Sequence, residues 1–185
     1  MPSYDNLNPV ENELLSQGII DIEGKITEDT FYYIRTCFSL LESRKSPDVT
    51  IYFSSNGGDH EIGLMIYDII KSYKGKTTGI VKGFCRSAAL TLLQACDIRK
   101  SYKHSLLLFH NTGIEGIRYT EKDLRNSNKM LRRAKLLRKD EQIKFEVYKK
   151  NLKISRRAFY KISENDINLR PKVAKRLGII DDIIE

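Results

Sequence analysis

Three times in its first half the chain passes from a short apolar, β-branched run into a helical pattern. Gly18 to Glu23 leads into Thr27 to Arg44. Asp48 to Phe53 leads into His60 to Tyr73. Thr77 to Val81 leads into Ser87 to Ala95. Parallel strands need a long crossover between them, and a helix is the usual one. Strands and helices that alternate in this way predict a layered α/β fold of β/α units with right-handed crossovers.

The helical stretches carry their own signals. Thr27, followed by Glu28 and Asp29, reads as a helix start with acid in the first turn. Phe31, Ile34, Phe38 and Leu41 then recur on one face. In the second helix Ile62, Met65, Ile66, Ile69 and Ile70 form the apolar set. Gly24 with Lys25, Pro47, and the Lys74-Gly75-Lys76 run read as turns. Further strands are expected at Ile98–Tyr102 and Ser105–Phe109, with His110 ending the second. Thr112 to Tyr119 reads as irregular chain or a short hairpin, and Thr120 as the cap of a charged helix reaching Asn151. Some 30 residues of helix span roughly 45 Å, more than a compact domain needs, so this helix should protrude or pack on another subunit. Ser155 caps a short helix, Arg170-Pro171 opens a last one that stops at Gly178, and Ile179–Ile184 is a final strand.

With 185 residues, 41% of them hydrophobic and 30% charged, the chain can bury a core and fits one domain. Residues 1–17 read as a polar N-terminal arm without the basic start and apolar stretch of a signal peptide. No apolar run reaches membrane-spanning length, so a cytoplasmic protein without membrane contact is expected. The three cysteines, Cys37, Cys85 and Cys96, have no metal-ligand spacing and read as buried thiols. The net charge of +8 is uneven: Arg118 to Arg157 holds 15 Lys/Arg against 5 Asp/Glu. That block reads as the solvated face of a long helix. It lacks the aromatic interleaving of an RNA-binding sheet and any DNA-reading motif, so no nucleic-acid partner is expected.

In open parallel sheets ligands sit beyond the carboxyl ends of the strands. Three segments emerge there: Ser54–Asp59 with its glycine pair, Gly83–Ser87 with a serine at a helix start, and His110–Thr112 with a histidine. Alone, Ser87 has the position of an ordinary helix cap. Together the segments supply N–H donors, a nucleophile and a base, the parts that acyl transfer requires. An imidazole base also needs an orienting carboxylate, and spacing leaves Asp97, Glu164 and Asp166 open.

Ser55-Asn56-Gly57-Gly58, with Gly63 and Ile66-Tyr67-Asp68 after it, resembles the proteolytic subunit of the caseinolytic (Clp) protease family. That family has Ser-Pro-Gly-Gly, then a glycine and Ile-Tyr-Asp at the same spacing. Its Gly-x-Ala-Ala-Ser-Met-Gly-Ala lies over Gly83 to Leu90, and its Met-Ile-His-Gln-Pro over Leu108 to Thr112. Its acidic loop and Tyr-Gly-Leu-Val-Asp lie over Asp166 and Leu177 to Asp181. The resemblance covers Gly18 to Glu185, taken as one domain of 18–185 with a handle region at about 112–151.

The resemblance implies the fold shared with the crotonases and a serine endopeptidase that cleaves unfolded polypeptides into short peptides. By it Ser87 is the nucleophile, His110 the general base and Asp166 the orienting carboxylate. The backbone N–H groups of Gly58 and Ala88 form the oxyanion hole, and no cofactor or metal is needed. It also implies a homo-oligomer of paired heptameric rings, joined through the long helix, with an ATP-dependent unfoldase as partner. Five positions depart from the family pattern: Asn56 stands in place of proline, Arg86 in place of a small residue beside Ser87, Leu90 in place of another, and Asn111-Thr112 in place of Gln-Pro. These departures motivate the alternative, a catalytically silent or partner-dependent ring subunit with a structural or regulatory role.

Overall fold

A computed structural model describes residues 7–110, 127–164 and 167–185. Its spine is a seven-stranded sheet: β1 (Ile19–Ile26), β2 (Val49–Gly58), β3 (Thr77–Arg86), β4 (Ile98–Tyr102), β5 (Leu106–Phe109), β6 (Ile167–Leu169) and β7 (Asp182–Ile184). The order along the main path is β1-β2-β3-β4-β7, with every pair parallel. The helices between the first strands, α2 (Glu28–Ser43), α3 (His60–Ser72) and α4 (Ala88–Leu93), are the crossovers that this parallel order demands. Ile20, Ile22, Ile51, Phe53 and Val81 of the strands pack against Ile34, Phe38, Leu41, Ile66 and Ile70 of the helices, all at most 2% exposed.

What positions the site is a split in β3. Its first half pairs with β4, from Thr78↔Ile98 to Val81↔Ser101. Its second half pairs with β5, from Phe84↔Leu106 to Arg86↔Leu108. Between them Gly83 takes φ +98°, which glycine alone adopts without strain. The buried Ser105 hydroxyl serves this irregularity: it donates to the Val81 carbonyl (3.1 Å) and accepts from the Gly83 N–H (3.2 Å). On the other side the β2–β3 register shifts between Phe53↔Val81 and Ser55↔Cys85. β6 then adds antiparallel to β5, closing with Phe109↔Ile167.

Several expectations change. β2 does not end at Phe53, nor β3 at Val81; both run on, to Gly58 and Arg86. Ladder hydrogen bonds to β1 and β5 hold residues whose local preference is for a turn, with irregularities at Gly24 and Gly83 absorbing the conflict. Met65 is 46% exposed, because Gly63, Ile66 and Ile70 define the buried stripe of α3. Within the N-terminal arm, α1 (Pro9–Ser16) is a helix closed by an Asn8–Glu11 capping box, and its Leu15 is 1% exposed. That box was in the sequence as Asn-x-x-Glu.

Among the described residues the remaining helices are α5 (Ser127–Lys149), α6 (Arg156–Ser163) and α7 (Pro171–Leu177). The 23 residues of α5 give a rod of about 35 Å. Ser155 caps α6 through the Ala158 N–H, and Gly178, at φ +82°, ends α7. Thr112–Tyr119 and the expected Thr120 cap lie outside the described residues. All three thiols are free and buried, and burial pushes Cys37 and Cys96 up to about 12. No helix among the described residues is long and apolar enough to cross a membrane.

Candidate active site

Ser87 stands between β3 and α4 with φ +50° and ψ −125°, a conformation costly for any residue with a side chain. Its N–H donates to the Leu108 carbonyl at 3.0 Å, tying the turn to β5. Its carbonyl accepts from Leu90 and Thr91 at 3.0 and 3.2 Å, which starts α4. The hydroxyl does not cap the helix and makes no hydrogen bond among the described residues. The reading of Ser87 as an ordinary cap is thereby corrected. A cap residue sits in extended backbone so that its oxygen can reach the third N–H. Here the turn is too sharp for that, and the oxygen is left unused.

The glycine pair lies directly against this turn. A Cβ on Gly57 would stand 2.7 Å from both the Arg86 carbonyl and the Ser87 Cβ, and 3.0 Å from the Ala88 nitrogen. Gly57 also has φ +89°, so nothing larger fits in space or in backbone. Gly58 faces the other strand, where a Cβ would be 2.3 Å from the Ile26 carbonyl. The buried Ser55 hydroxyl donates to the Gly24 carbonyl (2.6 Å) and accepts from the Gly57 N–H (3.1 Å). Asp59 follows: its N–H donates to Ile26 (3.0 Å) and its carboxylate caps α3 at Ile62 (3.0 Å). At Gly63 a Cβ would be 3.2 Å from that of Ala88, so α3 rests on the first residue of α4.

His110 follows β5 directly and is half-buried. Leu108, two residues earlier, is the partner of both Arg86 and the Ser87 N–H, so His110 and Ser87 leave adjacent parallel strands at the same end. The Lys144 ammonium donates to the His110 carbonyl. Lys144 is 6% exposed and lies 3.8 Å from Glu141. One turn further along α5, the buried Tyr148 hydroxyl meets Thr91 of α4; burial pushes that phenol up. Asp166 lies outside the described residues, and the chain resumes one position later at Ile167, opposite Phe109. No Ser87–His110 hydrogen bond is formed. In unliganded sites such bonds are often made only with substrate.

Of the other open carboxylates, Asp97 is committed elsewhere. It accepts from the Thr77 N–H (2.9 Å) and hydroxyl (3.0 Å); burial pushes it up, but these bonds outweigh that and hold it low. Glu164 ends α6 on the exposed surface. Lys144 was not legible as a site neighbour, because nothing separates it from the other cations of its helix. The contact of Arg86 with Asn56 was not legible either.

A sequence model of the Clp protease family matches residues 3–185. The chain belongs to the Clp protease family. It is 25% identical over 189 residues to the ATP-dependent Clp protease proteolytic subunit 3, chloroplastic, of Arabidopsis thaliana, a match covering all of this chain. It is 26% identical over 186 residues to the ATP-dependent Clp protease proteolytic subunit of Deinococcus radiodurans, covering 99% of this chain. The chain spans 58% of the length of the Arabidopsis relative and 86% of that of the Deinococcus relative. As a Clp family chain it has the mixed α/β architecture with a mainly parallel sheet that its alternating pattern implied.

Proposed function

We propose that this Clp family chain is a serine endopeptidase, cleaving unfolded polypeptides into short peptides, with Ser87, His110 and Asp166 as its triad. The observation that carries the reading is the uncapped Ser87 hydroxyl on a strained turn, pressed by Gly57 and one strand from His110. A serine held in unfavourable backbone with its oxygen unengaged suits a nucleophile, which must meet a substrate carbonyl instead of a helix terminus.

In the proposed reaction the Ser87 oxygen attacks the scissile carbonyl while His110 takes its proton. The collapsing intermediate expels the amine, to which His110 returns that proton, leaving an acyl-Ser87. Water, deprotonated by the same imidazole, then releases the acid and restores the serine. Asp166 holds the imidazole tautomer. Ala88, first in α4, has no carbonyl within its helix for its N–H, and Gly58 supplies the second oxyanion donor. In support of Gly58, the N–H groups of Gly57 and Asp59 both donate on the β1 side, and strand alternation turns the intervening one toward β3. Lys144 fixes the His110 backbone from behind.

The same reading includes paired heptameric rings joined by the region that contains α5, a cytoplasmic location, and feeding by an ATP-dependent unfoldase. The two relatives carry "ATP-dependent" in their names. The test is hydrolysis of short fluorogenic peptides by the pure protein. Turnover that falls at least about a thousandfold in Ser87→Ala and in His110→Ala is expected. Turnover that survives in Ser87→Ala contradicts the assignment.

A further inference from the structure

Arg86 immediately precedes Ser87, and its side chain crosses to β2. Its Nη1 donates to the Asn56 side-chain carbonyl at 2.9 Å, and its central carbon lies 5.5 Å from the centre of the Phe84 ring. Its Nε is buried without a partner, and among the described residues no carboxylate pairs with the guanidinium. An uncompensated, partly buried cation is thus held by a neutral amide and an aromatic face. Both partners depart from the family pattern, and they meet each other.

The position of this bond gives it meaning. The backbone ladder between β2 and β3 ends at Ser55↔Cys85. Asn56 and Arg86 are the next residue on each strand, so their side chains make the rung that the backbone omits. Immediately beyond it Gly57 touches the Ser87 turn. β1 holds the end of β2 and β5 holds the end of β3, but past Ser55↔Cys85 no ladder bond ties these two ends to each other. Acyl transfer tolerates little displacement between the oxyanion donors and the nucleophile.

We infer that Arg86 and Asn56 form a clamp fixing the Gly57–Gly58 strand end at its working distance from Ser87, which makes Arg86 a positioning residue. The inference rests on the peptidase reading above. Its action is geometric: one arm of the guanidinium reaches Asn56 while the group lies over the Phe84 ring, and a lysine offers the charge without that planar, stacked reach. A purely electrostatic role would be met by either cation.

The test is the second-order rate at which a biotinylated fluorophosphonate modifies Ser87 in wild type, Arg86→Met, Arg86→Lys, Asn56→Ala and the Arg86→Met/Asn56→Ala double variant. Both Arg86→Met and Asn56→Ala are expected to slow modification about tenfold, with the double variant no slower than either single one. Arg86→Lys stays slow. For a short peptide the loss falls on kcat, with KM within about twofold of wild type. Asn56 is exposed, so Asn56→Ala is expected to fold even where Arg86→Met does not, and it carries the test by itself. An unchanged rate in Asn56→Ala, a double variant slowed by the product of the two single effects, or restoration by lysine overturns the clamp. Absence of any adduct on wild-type Ser87 instead overturns the peptidase reading, and the clamp with it.

Discussion

At the scale of single residues, the cap and nucleophile readings of Ser87 make opposite stability predictions. A serine that caps a helix loses about 1 kcal/mol on replacement by alanine. Here the hydroxyl makes no such bond, so Ser87→Ala should melt within about a degree of wild type. Ser87→Gly removes the side chain that makes φ +50° costly, and should raise stability by about 1 kcal/mol. Thermal unfolding of both variants decides this. A destabilised alanine variant would restore the cap. The placement of the candidate site was readable one residue at a time: the glycine pair, Ser87 and His110 each stand at a strand end. What could not be read was conformation. A serine at a helix start is written the same way whether its backbone is extended or strained.

At the scale of elements, the C-terminal strand is fastened by one buried cation. Arg99 of β4 is 4% exposed and holds Asp181, the residue before β7, by Nε at 3.0 Å and Nη2 at 2.6 Å, while its own N–H adds a bond of 2.8 Å. Its third nitrogen donates to Gln94 just after α4 at 2.9 Å. Burial pushes the Asp181 carboxyl up, but the Arg99 bonds outweigh it and hold the group below its ordinary value of 3.8. A depressed carboxylate stabilises the fold above its unfolded pKa and loses that contribution as pH falls through the lower folded value. Asp181→Asn should cost about 2 kcal/mol at pH 7, less than for a fully buried pair because Asp181 is 43% exposed. In urea titrations the gap to wild type should begin to close below about pH 4. A gap constant with pH would contradict this. Periodicity made the β/α alternation legible, but not where strands end. Gly24 and Gly57 look like turn residues locally, and only pairing with β1 or β2 keeps them in the sheet, while Gly83 stands unpaired between the two halves of β3. The Asn8–Glu11 box is written in the sequence, but in a polar stretch without an apolar face it does not stand out as a helix start.

At the scale of the whole molecule, the candidate site belongs to no single element. β2 brings the glycine pair, the irregular end of β3 brings Ser87, β5 brings His110, and β6 returns the chain beside it. α5 lies behind, reaching the site with Lys144 and the core with Tyr148, while Arg132, Lys135, Arg138, Lys139 and Lys149 are exposed to solvent. That division explains why a helix so basic in sequence still belongs to a packed domain. In the proposed reading, convergence of separate strand ends is what turns an isolated serine into a nucleophile, and that reading has a chemical signature. The purified protein is treated with diisopropyl fluorophosphate, digested, and sequenced by tandem mass spectrometry. The expected result is one phosphoryl adduct, on Ser87, lost in Ser87→Ala. No adduct, or an adduct on another residue that persists in Ser87→Ala, would contradict it.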